Sequence, residues 1–165
     1  MTTPSRLRAA LFALLTGLSV AGWAAEPTIG MNEQPIHDAA RLGTRQDVEK
    51  ILKADPAARD ARTLLGSTPL HLAALNVDSG PLKALIAAGA NVNARDKEGA
   101  TPLHMAAFAT RTEHARLLLE AGVDVGVKTD AGRDALSLAR KVRADETAGI
   151  ISLWILKGCK PGKPC

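Results

Sequence analysis

The chain has 165 residues, 46% apolar and 23% charged, enough for one ordinary domain and too apolar for a disordered chain. Aromatics make up 2% and Tyr is missing, so any core is built from Leu, Ala, Val and Ile; such small side chains suit closely packed short helices and fill a large β-sandwich poorly. The formal charge of +4 is spread along the chain and mixed in sign, which argues against a phosphate-tracking nucleic-acid surface.

At the start, Arg6 and Arg8 flank the head of an apolar run that continues to Val20 and gives way to Ala21, Gly22, Ala24 and Ala25 before Glu26-Pro27. A positive start, a short apolar stretch and a small-residue exit are the parts of a secretory signal peptide, here residues 1–25. The run is shorter than the roughly 20 residues a spanning helix needs. Cleavage is expected after Ala21 or Ala24, because a cut after Ala25 sets bulky Trp23 where a small side chain is required. An uncleaved anchor is the alternative. Loss of Arg6 and Arg8 leaves the remainder at +2, and residues 26–33 read as a linker.

Self-similarity then organises the chain. Thr68-Pro69-Leu70-His71-Leu72-Ala73-Ala74 returns 33 residues later as Thr101-Pro102-Leu103-His104-Met105-Ala106-Ala107. A partial copy, Pro35-Ile36-His37-Asp38-Ala39-Ala40, precedes them, and a degraded one follows at Asp134-Ala135-Leu136-Ser137-Leu138-Ala139. Behind the two good copies run Leu82 to Asn93 and Ala115 to Val125, each interrupted by a glycine, Gly89 or Gly122. Thr68 and Thr101 suit N-caps, Pro69 and Pro102 suit a first helical position that requires no donor, and the glycines suit left-handed helix ends. The spacing predicts helices near 35–42, 46–53, 69–75, 79–88, 102–109, 112–121, 135–142 and 145–156. Asp55-Pro56-Ala57-Ala58-Arg59-Asp60 stands out as an unusual loop holding one extra residue.

The Thr-Pro-Leu-His-x-Ala-Ala segment and its second-helix partner resemble the ankyrin repeat over about residues 34–156. That resemblance implies an all-α solenoid of about four helix-turn-helix repeats joined by hairpin-like loops, near 34–66, 67–99, 100–132 and 133–158. Asp38, Arg45 and Glu49 in the first repeat, and Ser137, Arg140, Lys141 and Arg143 in the last, read as polar caps for the two open ends.

The tail, 159–165, is basic and holds the only two cysteines, Cys159 and Cys165. In an oxidising compartment so close a pair is most simply a disulfide. Two thiolates without a nearby His make half a zinc site, and a redox-active pair usually has two intervening residues, so metal binding and redox chemistry are the weaker alternatives.

His37, His71 and His104 invite a catalytic reading, but they recur at the repeat spacing. The resemblance implies that each bonds turn backbone and the nearby Thr hydroxyl. His114 is expected to pack between repeats. No nucleophile with a base, phosphate-binding glycine loop or paired-carboxylate motif stands out, so no enzyme, cofactor or metal is expected. The resemblance places partner contacts on the concave face formed by loop tips and first helices: Leu64, Leu65, Leu75 and Asn76, then Lys97, Glu98 and Phe108, then Arg133 and Lys141. An apolar patch beside charge suits a protein partner, with Phe108 as its anchor. Otherwise Leu64 and Leu65 cover the loop after Pro56 and Phe108 packs on a neighbouring repeat. The expectation is a monomeric periplasmic interaction module that binds another protein, with an inhibitor or immunity protein as alternative; secreted or leader-anchored placement is the alternative for location. No nucleic-acid partner and no stable membrane insertion after cleavage are expected. A third class, electrostatic binding of anionic polymers or lipid headgroups, rests on Lys157, Lys160 and Lys163.

Overall fold

The computed structural model describes residues 33–160. The leader, the linker apart from Glu33, and Cys165 lie outside the described residues. Helices α1 (Pro35–Leu42) and α2 (Arg45–Ala54) form a first hairpin, followed by a 3-10 turn over Pro56–Asp60. Three further hairpins follow: α3 (Pro69–Ala73) with α4 (Gly80–Ala87), α5 (Pro102–Phe108) with α6 (Thr112–Glu120), and α7 (Ala135–Lys141) with α8 (Asp145–Lys157). First helices stack on first helices, α1 on α3 on α5 on α7, while α2 packs on α4 and α6 on α8. The result is two helical layers with one continuous core between them. Ile36, Leu70, Leu82, Leu85, Leu103, Leu118, Leu119 and Ile151 are its largest apolar members, and alanines such as Ala73, Ala106 and Ala139 let the backbones approach.

Local chemistry sets the helix limits. Pro35, Pro69 and Pro102 occupy first-turn positions, and Thr44 accepts from Asp47 N–H while Asp47 returns the bond to Thr44 N–H. The predicted spans hold to within one or two residues. The largest difference is α3, which stops at Ala73 rather than Leu75. Asn76 causes it: the side chain turns inward to donate to the Ala40 and Gly43 carbonyls at 3.1 Å and accepts from Asp78 N–H at 2.9 Å. This local competition draws the chain out of the helix. The extra residue near Pro56 does not bulge out; Asp55 caps the 3-10 turn and Ala58 is pressed into the core.

The loop tips repeat as faithfully as the helices. Thr63 N–H to Ser67 O, Asp96 N–H to Ala100 O and Thr129 N–H to Arg133 O close equivalent turns at 3.0, 3.0 and 2.9 Å. Successive tips are tied by Lys97 N–H to Leu65 O at 3.0 Å and by Asp130 N–H to Glu98 O at 2.9 Å. Arg62 donates to the Gly66 and Arg95 carbonyls, and Arg95 in turn to the Gly99 and Lys128 carbonyls, so each arginine clamps its own turn and the next repeat.

The cap residues named from the sequence, Asp38, Arg45, Glu49, Ser137, Arg140, Lys141 and Arg143, are all exposed, but both ends also carry apolar surface that the sequence reading did not include. α8 runs for 13 residues, the longest helix among the described residues, and its last turn leaves Leu153, Ile155 and Leu156 exposed. Ile155 stands where Gly122 ended α6 one repeat earlier, so no left-handed residue stops the helix before Gly158. At the other end, Ile36, Ile51, Ala54 and Ala58 line a hollow of about 470 Å3 beside Asp47, Lys50 and Asp55.

Two non-glycine residues, Thr110 at φ 57° and Arg143 at φ 60°, hold the left-handed position after α5 and α7. A side chain there meets the following carbonyl, at a cost of roughly 1–2 kcal/mol. Thr110 is exposed, so Thr110→Gly is expected to raise stability by about 0.5–1 kcal/mol, a net figure because glycine also gains freedom when unfolded. Urea denaturation checks it; an unchanged or lower midpoint contradicts the strain.

Candidate functional site

The buried histidines are structural by geometry. Thr68 N–H donates to His71 Nδ1 at 3.1 Å and the Thr68 hydroxyl lies 2.9 Å from the same atom, while His71 Nε2 lies 3.1 Å from Ala100 O. His104 repeats the pattern with Thr101 and with Arg133 O. His37 takes Gln34 N–H at Nδ1 and meets Ala61 O rather than the next tip, a consequence of the altered loop. A backbone N–H can only donate and a carbonyl only accept, so each ring is the neutral tautomer with its proton on Nε2. Both nitrogens are committed, and none is left to take a substrate proton. Burial lowers the pKa of His71 and His104, only partly offset by the carbonyl each one bonds.

His114 is buried between the second and third hairpins, as expected, and its Nε2 finds no hydrogen-bond partner. Burial lowers its pKa too, with the Asp78 backbone opposing. α4 and α6 are not closely packed there as the α2–α4 and α6–α8 pairs are. Lys83 and Glu113 bridge them at 3.7 Å, and Arg111 reaches the Leu75 carbonyl at 3.4 Å.

The stripe of expected contact residues divides in a simple way. Leu64, Leu65, Lys97, Glu98, Phe108, Arg133 and Lys141 are all exposed, Leu65 at 73% and Phe108 at 59%. Leu75 is half-buried. Asn76 is a correction: at 5% exposure, with its amide spent on the Ala40 and Gly43 carbonyls, it holds two hairpins together and has nothing to offer a partner.

Of the exposed set, Glu98, Phe108, Arg133 and Lys141 meet around one open cavity of about 340 Å3 between the third and fourth hairpins. Met105, Leu138 and Val142 supply its apolar lining and Thr129 a hydroxyl. A shallower hollow of about 270 Å3 shares Glu98, Thr129 and Arg133 and adds Lys97, Asp130 and Ala131, so the groove runs from the loop tips to the first-helix ends. Leu64 and Leu65 stand on the preceding tip, joined to it through the Leu65 carbonyl. Sequence reasoning passed over Met105 and Leu138 as groove residues. Their signal was the 33-residue register Leu72, Met105, Leu138, which keeps one half-buried apolar side chain on this side in each of α3, α5 and α7.

The groove is biased toward positive charge. Asp130 already faces Arg95 at 3.4 Å, whereas none of the ion pairs among the described residues engages Lys97, Arg133 or Lys141. Glu98 is the one acid lining the 340 Å3 cavity. An apolar floor with unpaired cations at its rim suits an apolar side chain flanked by carboxylates. Among the described residues no three His, Cys, Asp or Glu gather where they would hold a metal ion.

No curated protein matches this chain. The family of ankyrin repeats, as three copies, matches residues 36–129, which covers α1 to α6 and more than half of the sequence. α7 and α8 lie beyond that match but stack on α5 and α6 as those helices' counterparts do elsewhere in the two layers. Ankyrin repeats generally mediate contact between proteins and are typically non-catalytic. The chain belongs to the ankyrin-repeat family.

Proposed function

We propose that this protein is an exported, non-catalytic adaptor that holds a partner protein in the periplasm against the groove of its third and fourth repeats. The observation that carries the reading is Phe108, 59% exposed at the mouth of an apolar cavity whose rim holds the unpaired Arg133 and Lys141. Solvent-facing aromatics of this kind supply a large share of interface energy when a partner covers them. The leader-like start of the sequence supports export, and export in turn supports a Cys159–Cys165 disulfide.

Phe108→Ala is expected to weaken partner binding by at least ~1 kcal/mol, about fivefold, because it removes a large apolar contact. The melting temperature is expected to stay nearly unchanged, since the ring is mostly in water without the partner. Affinity capture from periplasmic extract, followed by calorimetric titration of the captured protein, reads the first quantity. Unchanged affinity with a lowered melting temperature would make Phe108 a packing residue and sink the proposal.

A further inference from the structure

The last turn of α8 presents what no other second helix does. Leu153, Ile155 and Leu156 are exposed at 53%, 47% and 80%, Trp154 is half-buried beside them, and Lys157 and Lys160 follow at once. From Thr147 to the end of the sequence there are three lysines and no acidic residue. Asp145 and Glu146 lie at the opposite end of the helix, about 16 Å away at 1.5 Å per residue. Glu120, which holds the register position of Leu153 one repeat earlier, is neutralised by Arg116 at 2.7 Å. Apolar side chains, a tryptophan at their border and lysines just beyond are the composition that settles at a membrane–water interface.

We infer that this turn is a peripheral docking site for an anionic lipid bilayer surface, with Leu153, Ile155 and Leu156 entering the headgroup–acyl boundary and Lys157 and Lys160 meeting lipid phosphates. Charge selects the occupant. A second copy meeting this turn head-on would bring the same lysines together, whereas anionic headgroups complement them. Among the described residues no helix is long and apolar enough to cross a membrane, and one helical turn supports surface contact only. α8 belongs to the second-helix layer and Phe108 to the first, so membrane contact leaves the groove of repeats three and four open. The inference therefore stands apart from the partner-binding proposal.

The test uses the chain from Glu26 onward, which contains the whole described core from Ile36 to Ile151 and keeps Trp154 as its only tryptophan. It is mixed with vesicles of phosphatidylcholine alone or with one quarter phosphatidylglycerol. Co-sedimentation with the anionic vesicles is expected, together with a blue shift of Trp154 emission and quenching by brominated lipid; binding to neutral vesicles is expected to be weaker and binding in high salt to fall away. Leu153→Ser with Leu156→Ser is expected to cut partitioning by at least roughly tenfold, and Lys157→Gln with Lys160→Gln by a similar factor. All four positions are exposed, and circular dichroism checks that each variant folds. Equal binding by wild type and the serine variant, or no binding to anionic vesicles, overturns the inference. A dimer in sedimentation that the serine variant abolishes overturns it in favour of self-association.

Discussion

Lowering the pH from 7.5 to 5.5 is expected to destabilise the solenoid, because three buried imidazoles favour the neutral form more strongly in the fold than in the unfolded chain. His71, His104 and His114 all have folded pKa values pushed below the usual one, chiefly by burial. The unfolded imidazole titrates at about 6.5. Below that value the unfolded chain binds protons that the folded chain refuses, so the stability present above it is lost as pH falls toward the folded values. Geometry gives the same sign, since protonating Nδ1 of His71 or His104 confronts a backbone N–H with a second donor. Each group contributes a slope of up to about 1.4 kcal/mol per pH unit, so three together reach roughly 4 kcal/mol per unit. Domains of this size are stable by only about 5–15 kcal/mol. Asp47, Glu113 and Asp134, lowered by bonds to Thr44, Arg116 and Ser137, lose their contribution only as pH falls through the carboxylate range and do not blur the window. Urea midpoints at pH 7.5, 6.5 and 5.5 decide it. A flat profile would mean that the rings titrate freely in the fold.

His71→Ala and His104→Ala are each expected to cost about 3 kcal/mol or more. Each removes a fully buried ring, strips the Thr N–H of its acceptor and leaves the next repeat's carbonyl without a donor. The loss falls at a junction between repeats, where a solenoid of four hairpins has little redundancy. His114 is the internal contrast. Its Nε2 is already unpaired, so His114→Leu exchanges an imperfectly satisfied polar ring for an apolar side chain of similar size and is expected to stabilise by about 1 kcal/mol. It should also flatten the acid response by one proton. Chemical denaturation of the three variants separates the cases; a loss for His114→Leu as large as those for the two alanine variants would show that its ring makes stabilising polar contacts in the fold.

What was legible in the sequence is what repeats. The prolines, capping threonines, histidines and glycines recur 33 residues apart, and periodicity of that kind fixes helices, loop tips and the order of packing together. The exposed stripe was legible through the ankyrin resemblance, which places partner contacts at matching positions of each repeat. Departures escaped where one residue acts across repeats. Asn76 looks like a surface position by register, yet its short amide finds two carbonyls of the preceding hairpin and is drawn inside. The apolar end of α8 escaped because Arg140, Lys141 and Arg143 give the last repeat a polar character, while the missing glycine at position 155 lets the second helix run on. The groove escaped in part because Met105 and Leu138 look like core by composition and become surface only when Phe108 and Val142 stand beside them.

The adaptor reading is tested most directly by placing a photo-crosslinking amino acid at Phe108 and, separately, at Glu120, an exposed position on α6 in the other helical layer. Irradiation in the producing cell should yield one discrete protein adduct from position 108 and none from 120. Adducts from 120 alone, from both alike, or from neither would mean that the first-helix groove is not where this solenoid meets its partner.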